Sequence, residues 1–284
     1  MKKNYTLKQL ERLANTIRQD VIKMLLEAGS GHSAGPLGLA DVFTALYFKV
    51  LKHNPKKPNW EQRDRLCLSC GHVVPVRYAA MARAGYFPLS ELKTLRKLNS
   101  RLQGHPSYLD LPGLEHSSGP LGQGSSVAVG KALAAKINGQ KHYVFCVCSD
   151  GEQQEGQFWE AVMFAGKHQL NNLVFILDRN NIQIDGYTEE VMPLEPLKEK
   201  YEAFNWHVLE IDGNNLEQVI DACQYAKTVY EKPTMIIAHT IPGKGVDFME
   251  SDFKWHGNPP NEKQARKALH ELRTLRGQIV GEHE

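Results

Sequence analysis

No segment of the chain stays apolar for long: the longest runs, such as VFCVC and LVFIL, reach about five residues, against the roughly 20 that a membrane span needs. A transmembrane reading is excluded. The opening MKKNYTLKQLERLANTIRQD lacks the apolar core and small-residue cleavage site of a secretory signal, so a cytoplasmic protein is expected. An excess of charge is also missing. Against 34 Lys+Arg stand 32 Asp+Glu, a net +2, and the basic residues are dispersed, which excludes the electrostatic footprint of a nucleic-acid binder. Any anionic ligand must therefore be held locally. Cysteine is scarce, and an odd count of five fits reduced thiols in place of a disulfide framework. No Walker-type G-x-x-x-x-G-K-[ST] occurs, which disfavours a Mg²⁺-dependent phosphotransferase. Internal repeats and low-complexity tracts are absent as well.

What is present is a change of pattern along the chain. From Leu7 to about Ala28, Leu10, Leu13, Ala14, Ile17, Val21, Met24 and Leu25 recur at helical steps and stop at Gly29. GSGHSAGPLG reads as a loop, Leu39 to Leu51 as an apolar helix ended by Pro55 and Pro58, and 75–84 and 89–98 as two further helices. Residues 99–124, rich in Gly, Pro, Ser and His, read as a long ordered loop of the kind that is usually functional. Beyond Gly124 the order is helix 125–137, strand 142–148, helix 155–168, strand 173–177, strand 206–211, helix 215–230 and strand 234–239. Short continuous apolar strands alternating with helices predict an α/β fold, a doubly wound parallel sheet with helices on both faces. A charged helix with a thin stripe of Ala265, Leu269 and Leu272 follows, so the expected division is one domain over 1–260 and a terminal or linker helix over 261–284.

The most specific segment runs from Ser149 to Gly186, SDGEQQEGQFWEAVMFAGKHQLNNLVFILDRNNIQIDG. Asp150 directly follows one strand and Asn180 the next, so a right-handed parallel βαβ unit brings both to the carboxyl edge of the sheet, where open α/β sheets bind ligands. A carboxylate and an amide oxygen suit Mg²⁺ or Ca²⁺, and Gly151 lets a diphosphate approach the backbone at a helix start. A strand-end Asp and a turn Asn explain the spacing equally well. Cys67-x-x-Cys70 and Cys146-x-Cys148 have the makings of a four-thiolate zinc site, although Cys146 and Cys148 lie in a run apolar on both faces, where thiols are ordinary packing residues.

These segments together resemble the transketolase family. DG followed by some two dozen residues and NN is the thiamine diphosphate motif, with Ser149 in place of its first glycine. GHSAGPLGLAD (Gly31 to Asp41), SCGH (Ser69 to His72), GHPS (Gly104 to Ser107), EHSSGPLGQG (Glu115 to Gly124) and WHG (Trp255 to Gly257) follow the family's order and spacing from about Gly29 to Pro260. GPLGQG separates the chain from the related 1-deoxyxylulose-phosphate synthases. The resemblance implies the diphosphate-binding (PP-type) domain. It implies Asp150, Asn180 and the carbonyl of Ile182 as metal ligands. It implies His72, Gly151, Glu152, Asn180 and His256 toward the cofactor, with Gly119, Pro120 and Leu121 under its thiazolium. His32, His105 and His256 are implied as the catalytic histidines of the donor channel, and Glu155 as a link to a neighbouring active site. Histidine suits that work, since it bonds hydroxyls and relays protons near neutral pH.

Cys70, Ser33-Ala34 and Ser107 depart from residues common in relatives and are expected in or near the substrate funnel. The family's pyrimidine-binding domain has no counterpart before Glu284. The resemblance therefore implies an N-terminal subunit that pairs with a separately encoded C-terminal subunit in an α2β2 assembly and moves a two-carbon ketol unit from a ketose to an aldose. A non-catalytic cofactor-binding module and a related thiamine diphosphate-dependent synthase subunit stand as alternatives. Trp159, Met163 and Phe164 form a second apolar stripe on the helix 155–168, expected to face another chain.

Overall fold

The computed structural model describes residues 5–274. Helix α1 (Leu7–Ala28) opens with a capping box, in which Thr6 and Gln9 exchange side-chain and backbone bonds, and closes on Gly29 at φ 63°, the left-handed conformation that glycine adopts without strain. Its buried face is the expected stripe, with Leu13 only partly covered. The segment that reads as a loop contains a short helix, α2 (Ala34–Gly38), all five residues of which are buried. Tertiary enclosure stabilises it despite its Gly and Pro: a Cβ on Gly38 would lie 2.9 Å from the Ile241 carbonyl. The next expected helix divides into α3 (Ala40–Ala45) and a π-helical turn over Leu46–Val50.

Strand β1 (Arg65–Leu68) is an addition to the sequence reading, because four residues that follow a charged stretch are too few to carry a periodicity. Helix α4 (Val74–Ala84) follows, then a 3₁₀ turn over Leu89–Thr94 where the sequence pattern predicts a longer helix. Residues 99–122 hold neither helix nor strand. Then come α5 (Gln123–Ile137), β2 (Val144–Ser149), α6 (Gly156–Lys167) and β3 (Leu173–Arg179). Between β3 and the next sheet strand lie elements too short for any periodicity: a hairpin of β4 (Ile182–Gln183) and β5 (Gly186–Tyr187), α7 (Thr188–Val191) and α8 (Leu197–Ala203). β6 (His207–Asp212), α9 (Leu216–Ala226), β7 (Thr234–His239) and α10 (Glu262–Thr274) complete the order.

The sheet is parallel throughout, in the order β1-β2-β3-β7-β6. Alternate residues of its strands enter two separate cores. Phe145, Val147, Val174, Ile176, Ile236 and Ala238 join the side covered by α1, α3, α4 and α9. Cys146, Cys148, Phe175, Leu177, Met235 and Ile237 join the side covered by α5, α6 and α8. The period-two pleat of each strand thus feeds a double layer of helices, as a doubly wound sheet requires.

Helix α10 packs Ala265, Ala268 and Leu272 on α1, where the Asn15 amide donates to the Leu272 carbonyl at 2.7 Å. Residues 275–284 of the expected terminal helix lie outside the described residues. The second apolar stripe of α6 resolves into two parts. Trp159 packs within the chain on Tyr201 and Phe204, whereas Met163 and Phe164 are exposed. Among the described residues no helix is long and apolar enough to cross a membrane.

Candidate active site

The carboxyl ends of β1, β2, β3 and β7 deliver the candidate residues to one edge. Ser69 and His72 follow β1, Asp150 and Gly151 follow β2, Asn180 to Ile182 follow β3, and the segment from Thr240 to Gly257 follows β7. Ser149 pairs in register with Asp178, which sets Asp150 beside the turn carrying Asn180. Asp150 is 1% exposed, and its carboxylate is held on every side. Oδ1 accepts from the Gly151 N–H at 2.7 Å. Oδ2 accepts from the Asn181 N–H at 2.7 Å, from Arg179 Nη1 at 3.2 Å and from Thr188 Oγ1 at 3.2 Å. Burial raises its pKa, and the Arg179 guanidinium and the two N–H groups oppose that rise. Asn180 donates through Nδ2 to Asp178 at 2.8 Å, which turns its Oδ1 toward the Ile182 N–H at 3.0 Å. Asp178, fully buried and bonded by Thr240, is pushed up to about 7 by desolvation.

At the same edge of the sheet, three imidazoles from three distant segments meet. Ring centroids lie 4.8 Å apart for His32 and His72, 5.4 Å for His32 and His256, and 5.3 Å for His72 and His256. The Nδ1 atoms of His32 and His256 are buried without a hydrogen-bond partner among the described residues. His105 is exposed and sits by Gly119, 3.9 Å from where a Cβ there would stand. His32 is pushed down to about 4 by burial, then by the neighbouring His256, Arg96 and His105, and His256 is pushed down to about 4 by burial. Both rings are therefore neutral at pH 7, able to donate on one nitrogen and accept on the other.

These depressed values bear on stability. With folded pKa values below the ordinary 6.5, the unfolded chain takes up protons first. The stability these two rings permit is complete above pH 6.5, falls as pH drops toward 4, and is lost below it. Melting temperatures taken across that window should decline less steeply in a His32→Gln, His256→Gln double variant than in the wild type. Parallel declines would show that other groups govern the acid limb.

Other expected residues take different positions. Glu152 is fully buried and turns inward, where it accepts from Ser69 Oγ, from the Gly122 N–H at 2.7 Å and from the Ser149 N–H at 3.1 Å. One carboxylate so ties the ends of β1 and β2 to the GPLGQG loop. Leu121 is half-buried against the core and Pro120 is exposed. Glu155 is exposed at the N-cap of α6 without a capping bond. Cys70 is a correction. It is fully buried, with Sγ directed to the Val147 carbonyl at 3.7 Å, and burial raises its pKa well above that of a free thiol, so it packs in the core and does not line a funnel. Ser33 and Ala34 are also fully buried, and Ser107 alone of the departing residues is partly exposed. Cys67 and Cys146 are opposite one another in register, and all five thiols are free and buried. Gln183 escapes sequence reasoning. Its Oε1 is buried without a hydrogen-bond partner among the described residues, 3.3 Å from where a Cβ on Gly151 would stand, and nothing in a glutamine one residue past Ile182 marks it in the sequence.

An oxygen-donor pair, a glycine that leaves backbone bare and imidazoles with unmet hydrogen bonds thus lie at the carboxyl edge of a doubly wound sheet, the place where open α/β sheets bind ligands. Residues 9–274 match the family described as transketolase, thiamine diphosphate binding domain, and the chain belongs to that family. It is 43% identical over 263 residues to the 6-deoxy-6-sulfo-D-fructose transketolase subunit SqwG of Clostridium sp. (strain MSTE9), covering 93% of this chain and 96% of that one. An apulose-4-phosphate transketolase subunit of Phocaeicola vulgatus is 39% identical, with 93% of each covered. Transketolase from Campylobacter jejuni superposes with a TM-score of 0.88 at 39% identity, over 93% of this chain and 42% of that longer one.

Proposed function

We propose that the chain is the N-terminal subunit of a heteromeric transketolase that transfers a two-carbon ketol unit from a ketose bearing an anionic group to an aldose, using thiamine diphosphate and Mg²⁺ (or Ca²⁺). What supports this reading is that the carboxyl edge of one parallel sheet carries both the Asp150–Asn180 oxygen pair and the cluster of His32, His72 and His256. The residues fit the group. The donors are all oxygen, as Mg²⁺ and Ca²⁺ prefer, and the orphaned Nδ1 atoms and Gln183 Oε1 have hydrogen-bond capacity to offer.

In this reading Asp150, Asn180 and the Ile182 carbonyl hold the ion. Gly151, His72 and His256 receive the diphosphate, and Gly119 to Leu121 support the ring, with Glu152 bracing their loop. Bound there, the cofactor would supply the electron sink for breaking and forming the carbon–carbon bond. The protein's own part is to orient the sugar and move protons. His32, His105 and His256 bond its hydroxyls, and neutral imidazoles can take a proton at one nitrogen and return it from the same atom.

Relatives named as subunits are matched over nearly their whole length, while full-length transketolases are matched over about two fifths, which supports a separate C-terminal partner. In this reading the two kinds of chain form an α2β2 assembly in the cytoplasm. Exposed Met163 and Phe164 on α6 and Val127 and Ile137 on α5 offer apolar area for such contacts. The sugars in the names of the similar proteins, a sulfo-fructose and an apulose phosphate, both carry a strong anion. Co-expression with a candidate C-terminal chain, followed by a screen of ketoses and aldoses, tests the reading. Cofactor-dependent transfer is expected from the pair and none from the chain alone. Full activity from the chain verified free of partner would overturn the split reading, and an inactive pair would overturn ketol transfer.

A further inference from the structure

We propose that Arg179 is a positioning residue that fixes which oxygen of Asp150 is offered to the metal, and so sets a preference for Mg²⁺ over Ca²⁺. The inference rests on the reading above, in which Asp150 holds the ion. The two oxygens of its carboxylate are unequally used. Oδ2 accepts from the Asn181 N–H at 2.7 Å, from Arg179 Nη1 at 3.2 Å and from Thr188 Oγ1 at 3.2 Å, whereas among the described residues Oδ1 accepts only from the Gly151 N–H at 2.7 Å. An ionised carboxylate has about four lone-pair sites, shared between its two oxygens. Three donors therefore exhaust Oδ2, and Oδ1 keeps a site for a ligand.

Arg179 is the fixed arm of this clamp. It ends β3, and its side chain is 3% exposed. Nη2 donates to Glu189 Oε1 at 2.5 Å and to Glu195 Oε1 at 3.0 Å, and Nε donates to Glu195 Oε1 at 3.3 Å. Those carboxylates are held in turn: Glu189 Oε1 accepts from the Leu194 N–H at 3.1 Å, and Glu195 Oε2 accepts from the Leu197 N–H at 2.8 Å. Because the guanidinium fork is planar and rigid, anchoring Nη2 and Nε aims Nη1 in one direction. Thr188 is fully buried at the start of α7, and its N–H donates to the Asn181 carbonyl at 2.9 Å. The donors on Oδ2 thus come from one self-bonded segment just past β3, and the carboxylate is not free to turn both oxygens to an ion. A lone cation beside a metal ligand would repel the ion, but Glu189 and Glu195 outweigh the charge of Arg179. Ca²⁺ takes about six to eight oxygens and binds carboxylates through one oxygen or both, while Mg²⁺ demands a compact octahedron. A carboxylate limited to one oxygen serves Mg²⁺.

Calorimetric titration of Mg²⁺ and, separately, of Ca²⁺ into the assembled complex with thiamine diphosphate present tests this without turnover. In Arg179→Met, which keeps the length of the side chain and removes its donors, the ratio of Ca²⁺ to Mg²⁺ affinity should rise by about 10-fold, the lower end of what altering the support of a metal ligand does. Arg179→Lys, which keeps the charge without the fork, should restore part of the wild-type ratio. Thr188→Val, nearly isosteric, should move the ratio in the same direction by a few fold, as loss of one neutral hydrogen bond requires. If Arg179→Met does not assemble, Thr188→Val decides by the same ratio. A ratio that stays at the wild-type value, whether both affinities fall together or neither moves, would mean that Arg179 supports only the fold or the local charge; it overturns the proposal and leaves the ketol-transfer reading standing. A shifted ratio supports the proposal even if the complex transfers no ketol unit. Absence of metal-dependent cofactor binding in the wild type overturns the metal assignment and the proposal together.

Discussion

Asp150→Asn should weaken metal-dependent retention of thiamine diphosphate by at least about 100-fold, the upper end of what perturbing the support of a metal site costs, because here a ligand itself is lost. The carboxylate does two jobs that the variant separates. Toward the proposed ion it supplies negative charge, which an amide cannot. Toward the protein it accepts from Gly151, Asn181, Thr188 and Arg179. Arg179 is 3% exposed at its side chain, and stripping a buried guanidinium of its partner costs about 3–5 kcal/mol in general. Glu189 and Glu195 also hold it, at 2.5 and 3.0 Å, so the loss here should fall at the lower end of that range. The asparagine variant keeps the shape and should fold. Calorimetry on the assembled complex, with metal present and then removed, gives the answer. Unaltered cofactor affinity in Asp150→Asn, still sensitive to metal removal, would place the ion elsewhere.

Replacing His32 or His256 with Ala should lower kcat/KM by roughly 10²-fold or more if these rings move protons in the rate-limiting step. The same substitutions should leave the melting temperature at pH 7 within a few degrees, on the order of a 1 kcal/mol change. The reason is the unmet Nδ1 on each ring: with no partner among the described residues, the imidazole contributes desolvation cost and packing but no hydrogen bond at that atom. A structural histidine would show the opposite pattern. A large melting loss with unchanged kcat/KM would therefore remove both rings from the catalytic set.

The expected helices and strands from Gly124 onward agree with the structure to within a few residues, because each buried strand is a continuous apolar run and each covering helix keeps its stripe. The carboxyl-edge positions of Asp150 and Asn180 follow from the same βαβ order. β1 is not legible, since Arg65–Leu68 owes its extended form to pairing with β2 rather than to a pattern of its own. α2 escapes because Gly and Pro signal a loop locally, and enclosure on all five residues overrides them. Cys70 escapes for a related reason: adjacency to His72 in sequence says nothing of which side of the edge a side chain enters.

By itself the sequence determined the alternation of buried strands and amphipathic helices, the charge neutrality that excludes a nucleic-acid surface, and the motif residues, because periodicity and spacing are local properties. Only the tertiary structure decided which of those residues meet. His32, His72 and His256 are far apart in the chain; His72 and His256 converge because they follow β1 and β7 at one sheet edge, and His32 joins them from the turn between α1 and α2. The inward turn of Glu152 and the orphaned nitrogens likewise depend on burial and on contacts across the chain, quantities that no local pattern encodes.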